Sequence, residues 1–161
     1  MLDIVTYGNE ILGRKAESIK DIDDSVRALA ADMLEAMAGK GIGLAGPQVG
    51  SSLRIFVTNV EGDKPRIFIN PEIVLTSQEL VDVEEGCLSL PRLYLDVTRP
   101  EAVRVQAWNE KGRPFTVETD GLLARVILHE YDHLEGVLFI DRLKAGKRDR
   151  ALNQYRRLTR S

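Results

Sequence analysis

Residues 129–133 read His-Glu-Tyr-Asp-His, an H-E-x-x-H pattern. Side chains four apart share a helix face, so His129 and His133 can reach one metal ion. Glu130 falls beside that ion without having to bind it. The trio offers what hydrolysis needs: a Lewis acid that lowers the pKa of water, and a carboxylate that takes and returns a proton. These are the only two histidines among 161 residues, a coincidence that packing alone does not explain.

A third donor must then come from Cys, Asp or Glu. Metzincins place a third histidine six residues after the second, but position 139 here is Phe139. Glu135 is the last glutamate and lies too close on the same helix. Asp141 and Asp149 remain open as donors. So does the lone cysteine, in Glu84-Glu85-Gly86-Cys87-Leu88-Ser89-Leu90-Pro91. A free cysteine is ordinarily a small buried hydrophobe. A thiolate beside a permissive glycine, on an irregular segment after a strand, is also a good soft ligand. With a two-histidine site lacking a donor, Cys87 is favoured. A single cysteine excludes an internal disulfide framework and suits a reducing compartment.

Gly41-Ile42-Gly43-Leu44-Ala45-Gly46 matches G-x-G-x-x-G by letter. A dinucleotide loop needs a strand before it and a helix after it. Here a helical pattern precedes and Pro47 follows, so the run reads as backbone that must approach something closely, with Gln48 presenting an amide donor. Positions 122, 126, 129 and 133 form one helical stripe. Leu122 and Val126 therefore lie on the metal's side, placed with Ile42 and Leu44 to line an apolar pocket.

The elements that must position these residues follow from periodicity. Residues 24–38 predict a helix, with Val26, Leu29, Met33 and Met37 on one face, Asp24 or Ser25 capping its start, and Gly39 and Gly41 ending it. A loop, Gly41 to Gly50, comes next. Strand patterns cover Leu53–Asn59, Arg66–Asn70, Glu72–Thr76 and Glu79–Val83. Ala102–Trp108 and Pro114–Thr119 flank a turn and predict a hairpin. Asp120 caps the motif helix, Gly121–Glu135, which ends at Gly136. A last helix spans roughly Lys147–Leu158. Strands in the middle with helices before and after predict an α+β fold with mostly antiparallel sheet.

With 43% hydrophobic residues, the chain is not an intrinsically disordered one, and its length suits one domain. Net charge is −3, unevenly spread: residues 142–161 carry +7 and the remainder −10. An acidic body does not favour DNA as a partner, whereas a basic tail can touch RNA or another anionic surface. A solvated basic helix is the plainer reading. No apolar run approaches the roughly 20 residues that span a membrane, and Met1-Leu2-Asp3-Ile4-Val5 lacks the basic start of a signal peptide. A soluble, cytoplasmic protein is expected.

Three segments together resemble the peptide deformylase family. They are Gly41-Ile42-Gly43-Leu44-Ala45-Gly46-Pro47-Gln48, Glu85-Gly86-Cys87-Leu88-Ser89 and His129-Glu130-Tyr131-Asp132-His133-Leu134, against G-x-G-L-A-A-P-Q, E-G-C-L-S and Q-H-E-x-D-H-L. The likeness spans residues 1 to about 145. Gly46 stands where the family often has alanine. Leu128 stands where it often has glutamine, a change that would alter the polarity beside His129. No substrate role can be placed on Arg92.

The resemblance implies an amide hydrolase that removes the N-formyl group from formyl-methionyl N-termini of nascent polypeptides. It implies one divalent metal, Fe2+ by nature, with Ni2+, Co2+ or Zn2+ able to substitute, on Cys87, His129 and His133. Glu130 would be the proton carrier. The Gln48 amide and the Leu88 backbone N–H would stabilise negative charge on the formyl oxygen. The Leu122, Val126, Ile42 and Leu44 pocket would take the methionine side chain, while backbone at Ile42, Gly43 and Gly86 would pair with the substrate main chain. One catalytic domain, 1–161, is expected, with a core at 1–145 and a basic helix or tail at 146–161 that can contact the ribosome, as C-terminal extensions in the family do.

Overall fold

A computed structural model describes residues 2–160. Seven strands and three helices run in the order α1 (Asp24–Met37), β1 (Gly43–Ala45), β2 (Ile55–Thr58), β3 (Arg66–Thr76), β4 (Leu80–Cys87), β5 (Leu90–Pro100), β6 (Ala102–Trp108), β7 (Pro114–Asp120), α2 (Gly121–Leu134) and α3 (Ala145–Thr159). Five strands form one antiparallel sheet, in the order β1-β2-β3-β6-β7, and β4 pairs with β5 in a separate two-stranded sheet. The α+β class read from the pattern is the observed one.

Alternation along β2 and β3 decides which helix each face receives, because neighbouring strand residues point to opposite faces. Ile55, Val57 and Ile69 turn to α1, packing on Met33, Met37 and Leu44. Phe56 and Phe68 turn the other way, against Ala124, Ile127 and Leu128 of α2. Their rings stack 4.6 Å apart, anchoring the sheet to the motif helix. A third cluster joins β5 to α3 through Leu90, Leu93, Val97, Leu152 and Tyr155. The motif helix is thus buried on nearly every side, so its polar residues need partners inside the protein.

Several boundaries differ from expectation. Asp23, not Asp24 or Ser25, caps α1: its backbone is extended and its carboxylate accepts from the Val26 N–H. Asp120 occupies the cap position of α2 but makes no side-chain capping bond. The expected Gly41–Gly50 loop holds β1 and a 3-10 turn over Gly46–Val49. Arg66–Asn70 and Glu72–Thr76 are one strand, interrupted in register where Asn70 takes φ +49° before Pro71. The Glu79–Val83 strand runs on to Cys87, so the thiol sits at a strand end. β5 carries no pattern legible in advance, since Pro91, Arg92 and Asp96 interrupt its apolar alternation.

Candidate metal centre

β4 and α2 bring Cys87, His129 and His133 together. Their donor atoms all lie within 4.8 Å of one another. Cys87 Sγ is 3.4 Å from His133 Nε2. The β4–β5 pairing explains how the thiol is aimed. Gly86 pairs with Tyr94 but Cys87 pairs with Leu90, so residues 91–93 bulge out of β5 with Arg92 at φ +69°. Gly86 cannot be replaced freely: a Cβ there would lie 2.5 Å from the Tyr94 ring.

The donor set fits a soft or borderline divalent cation: the Cys87 sulfur and the His129 ring border an open cavity, with the His133 ring buried beside them. That cavity, of about 330 Å³, is lined by Ile42, Gly43, Gln48, Gly86, Cys87, Leu88, Leu122, Val126, His129 and Glu130. Leu44 is absent from it. Along β1 its side chain points away from α2 and is fully buried against α1. Asp141 and Asp149 are also elsewhere. Asp141 binds Arg148 and accepts from the Leu138 N–H, and Asp149 is exposed on α3.

Behind the histidines lies a buried charge network that the sequence reading missed. Glu85 Oε1 is 2.7 Å from His129 Nδ1. The same carboxylate accepts from Arg99, at 2.5 and 3.0 Å, and from Arg125 at 2.6 Å. Arg99 reaches on to Asp132, which also accepts from Nε and Nη2 of Arg142. Burial alone would raise the Glu85 pKa, but bonds from His129 and Arg99 hold it at about 2. Glu85 is thus a fixed anion that orients His129 and leaves Nε2 for the cluster. Leu128, where a polar neighbour of His129 was at issue, packs into the sheet-side core instead.

Glu130 lies on the cavity side, its Oε2 4.0 Å from His129 Nε2. Burial pushes its carboxyl up to about 7. Burial, with His129 and Arg99 nearby, lowers the His133 pKa well below the ordinary value, keeping that imidazole neutral as a donor must be. For His129, burial works against charge, but Glu130, Cys87 and Glu85 outweigh it and raise the pKa. A cation and a proton therefore compete for its Nε2. Gln48 is fixed by the Ala45 N–H donating to its Oε1 at 3.0 Å. That bond turns its Nε2 toward Cys87 Sγ, 3.6 Å away, and Ser89 Oγ, 3.2 Å away.

Two imidazoles and a thiol within reach of one cation, beside an open cavity and a carboxyl poised near neutrality, define a metal-dependent hydrolase. The family model described as polypeptide deformylase matches residues 1–149. A peptide deformylase of Treponema pallidum (strain Nichols) is 45% identical over 155 residues, 96% of this chain and 95% of that protein. One of Clostridium botulinum (strain Alaska E43 / Type E3) is 51% identical over 141 residues, covering 87% and 95%. The crystal structure of a peptide deformylase from Legionella pneumophila superposes with a TM-score of 0.93 at 38% identity, covering 99% of this chain and 96% of that one. The chain belongs to the polypeptide deformylase family. With the family goes its activity, hydrolytic removal of the formyl group from nascent polypeptides.

Proposed function

We propose that Cys87, His129 and His133 hold one divalent cation, Fe2+ in the cell, with Ni2+, Co2+ or Zn2+ as substitutes, and that Glu130 carries the proton in deformylation. The observation behind this reading is the convergence of three donor atoms within 4.8 Å beside the cavity that Cys87, His129 and Glu130 line. A cation bound there supplies Lewis acidity, lowering the pKa of water and polarising the formyl oxygen.

The rest is done by the chain. Glu130, poised near 7, takes a proton from water as the water oxygen bonds to the formyl carbon. Negative charge then gathers on the formyl oxygen. The Gln48 amide and the Leu88 N–H, in the turn between β4 and β5, donate to it. Such donors are worth about 3–4 kcal/mol each in other hydrolases. The carbon–nitrogen bond breaks, Glu130 passes its proton to the leaving amine, and formate and a free N-terminus result. Ile42, Leu122 and Val126 form the apolar wall for a methionine side chain. β1 ends its sheet and β4 has one partner strand, and Gly43 of the first and Gly86 of the second line the cavity. Backbone at Ile42, Gly43 and Gly86 is therefore placed to pair with the substrate chain.

Residues 1–145 form the catalytic core in this reading. The basic face of residues 146–161 is the contact for the ribosome, where formylated chains emerge in the cytoplasm. Among the described residues no helix is long and apolar enough to cross a membrane.

Formate release from a formyl-methionyl peptide tests the roles directly. Glu130→Ala should keep its metal and lose most turnover; full activity would remove Glu130 from the mechanism. Cys87→Ala should lose metal, and stoichiometric iron in that variant would exclude the thiolate. Cleavage of the peptide bond without formate would indicate a metallopeptidase instead.

A further inference from the structure

Among the described residues, the buried side-chain atoms without a hydrogen-bond partner in the protein include Glu130 Oε1 and Thr58 Oγ1. An orphaned buried hydroxyl is costly, and a valine would fill the same space without it. Thr58 nonetheless sits at the inner end of β2 with no exposed surface.

Its place in the sheet brings it beside Glu130. Thr58 pairs with Gly43 across β1–β2. Asn59 N–H donates to Ile42 O at 2.9 Å, which makes Ile42–Asn59 the hydrogen-bonded pair and Gly43–Thr58 the neighbouring non-bonded one. Side chains of a non-bonded pair come closest, with Cβ atoms about 4.5–5.5 Å apart on the same face. At Gly43 that face is occupied by Glu130: a Cβ built there would lie 2.6 Å from Glu130 Oε2 and 3.1 Å from its Cδ. Glycine thus leaves room for the Glu130 carboxyl on the face that Thr58 shares. Oε2 is the oxygen against Gly43 and 4.0 Å from His129 Nε2, and Oε1 is the buried one without a partner.

We infer that Thr58 is a positioning residue for Glu130, joined to its Oε1 by one buried water that both side chains hold. The inference rests on Glu130 being the proton carrier. A carboxyl that swings between water and leaving amine needs one oxygen held while the other works, and a hydroxyl bridge supplies that hold without adding a charge. The water satisfies both orphaned atoms at once, as buried waters with several polar partners do.

Thr58→Val and Thr58→Ser in the metal-loaded enzyme, with Glu130→Gln in parallel, test it. Thr58→Val should lower kcat about tenfold, a part of the roughly 10²–10⁴-fold that general acid–base catalysis contributes, with KM unchanged and no gain in melting temperature. Thr58→Ser should restore kcat. A high-resolution crystal structure should show one water within hydrogen-bonding reach of Thr58 Oγ1 and Glu130 Oε1. Unchanged kcat in Thr58→Val overturns the inference. So does a melting temperature raised by about 2–4 °C or more, the sign of a dry hydroxyl removed. A parallel fall of kcat and melting temperature that serine does not rescue would mark a merely structural threonine and also overturns it. Full activity in Glu130→Gln would instead defeat the reading of Glu130 itself, whatever Thr58 does.

Discussion

Glu85 Oε1 and His129 Nδ1 meet at 2.7 Å, and the partners of that carboxylate are two buried guanidiniums. The contact fixes which nitrogen of His129 faces the donor cluster. Removing the carboxylate therefore damages two things at once. Glu85→Ala should weaken metal binding about 10–100-fold, because the ring loses its orienting acceptor. It should also destabilise the fold by about 3–5 kcal/mol, since Arg125 is left buried without its anion and Arg99 keeps only Asp132. Chelator competition reads the first effect and urea denaturation the second. Wild-type metal affinity in a folded Glu85→Ala protein would deny Glu85 its orienting role.

The same carboxylate sets an acid limit on stability. Its pKa is held at about 2 in the folded protein, below the ordinary 4.5. A depressed folded value means that the unfolded chain binds the proton first. The stabilisation is then complete above about 4.5 and drains away as pH falls toward 2. The shift corresponds to about 3 kcal/mol at full strength. Urea midpoints at pH 7, 4 and 3 should fall in that order for the wild type. A flat profile across this window would show that Glu85 is not held as an anion by its neighbours.

Gly43 is required by Glu130 rather than by backbone conformation. Its φ is not left-handed, yet a Cβ would lie 2.6 Å from Glu130 Oε2 and 2.7 Å from Val126 Cγ1. The terminal carboxyl is the softer neighbour and would give way, since a misplaced catalytic group of about 1 Å can cost about 100-fold. Gly43→Ala should thus retain metal and a folded structure while losing turnover on that scale. Steady-state formate release with parallel metal analysis checks both. Wild-type kcat would show that Glu130 tolerates displacement.

The cluster of candidate donors was legible because its signals are local or arithmetical. His129 and His133 stand four apart on one helix, and the shortage of histidine pointed to Cys87. Glu85, Arg99, Arg125 and Asp132 gave no such signal. They converge from β4, β5 and α2, with separations of 14, 33 and 40 residues along the chain, and only tertiary packing unites them. Leu44 misled for the opposite reason. It sits beside Ile42 in the motif, but strand alternation sends it to the α1 core. β5 escaped notice because Pro91, Arg92 and Asp96 interrupt its apolar residues, a charged residue, Arg99, points inward, and its bulge breaks the period of two.

The C-terminal helix has two faces, and they call for different variants. Ala151, Leu152 and Tyr155 pack into the cluster beside β5, and Tyr155 meets Tyr7 edge to face. Arg92 also donates to Leu158 O. Truncation after residue 145 should therefore lower the melting temperature and cloud any binding assay. Lys147, Arg150 and Arg157 instead border an open groove on the solvent side. Reversing these three to glutamate should leave melting and deformylation unchanged. It should abolish low-salt cosedimentation with ribosomes, the salt-sensitive behaviour of a phosphate contact. Undiminished cosedimentation would detach this face from the ribosome.

Cys87 makes the choice of metal visible in air. The thiol is half-buried and borders the open cavity, so small oxidants reach it. Sulfur that is thiolate in character climbs the oxidation ladder readily. The Gln48 amide lies 3.6 Å from this sulfur. Ferrous iron adds a redox partner beside it, whereas Ni2+ does not under the same conditions. Enzyme loaded anaerobically with iron should lose activity within an aerobic assay period, and the nickel form should persist. Mass spectrometry of the inactivated iron form should place added oxygen on Cys87. Gln48→Ala, which strips the amide from the sulfur, should shorten the iron form's half-life further. Equal aerobic half-lives for the two metal forms would show that the thiolate does not govern the loss.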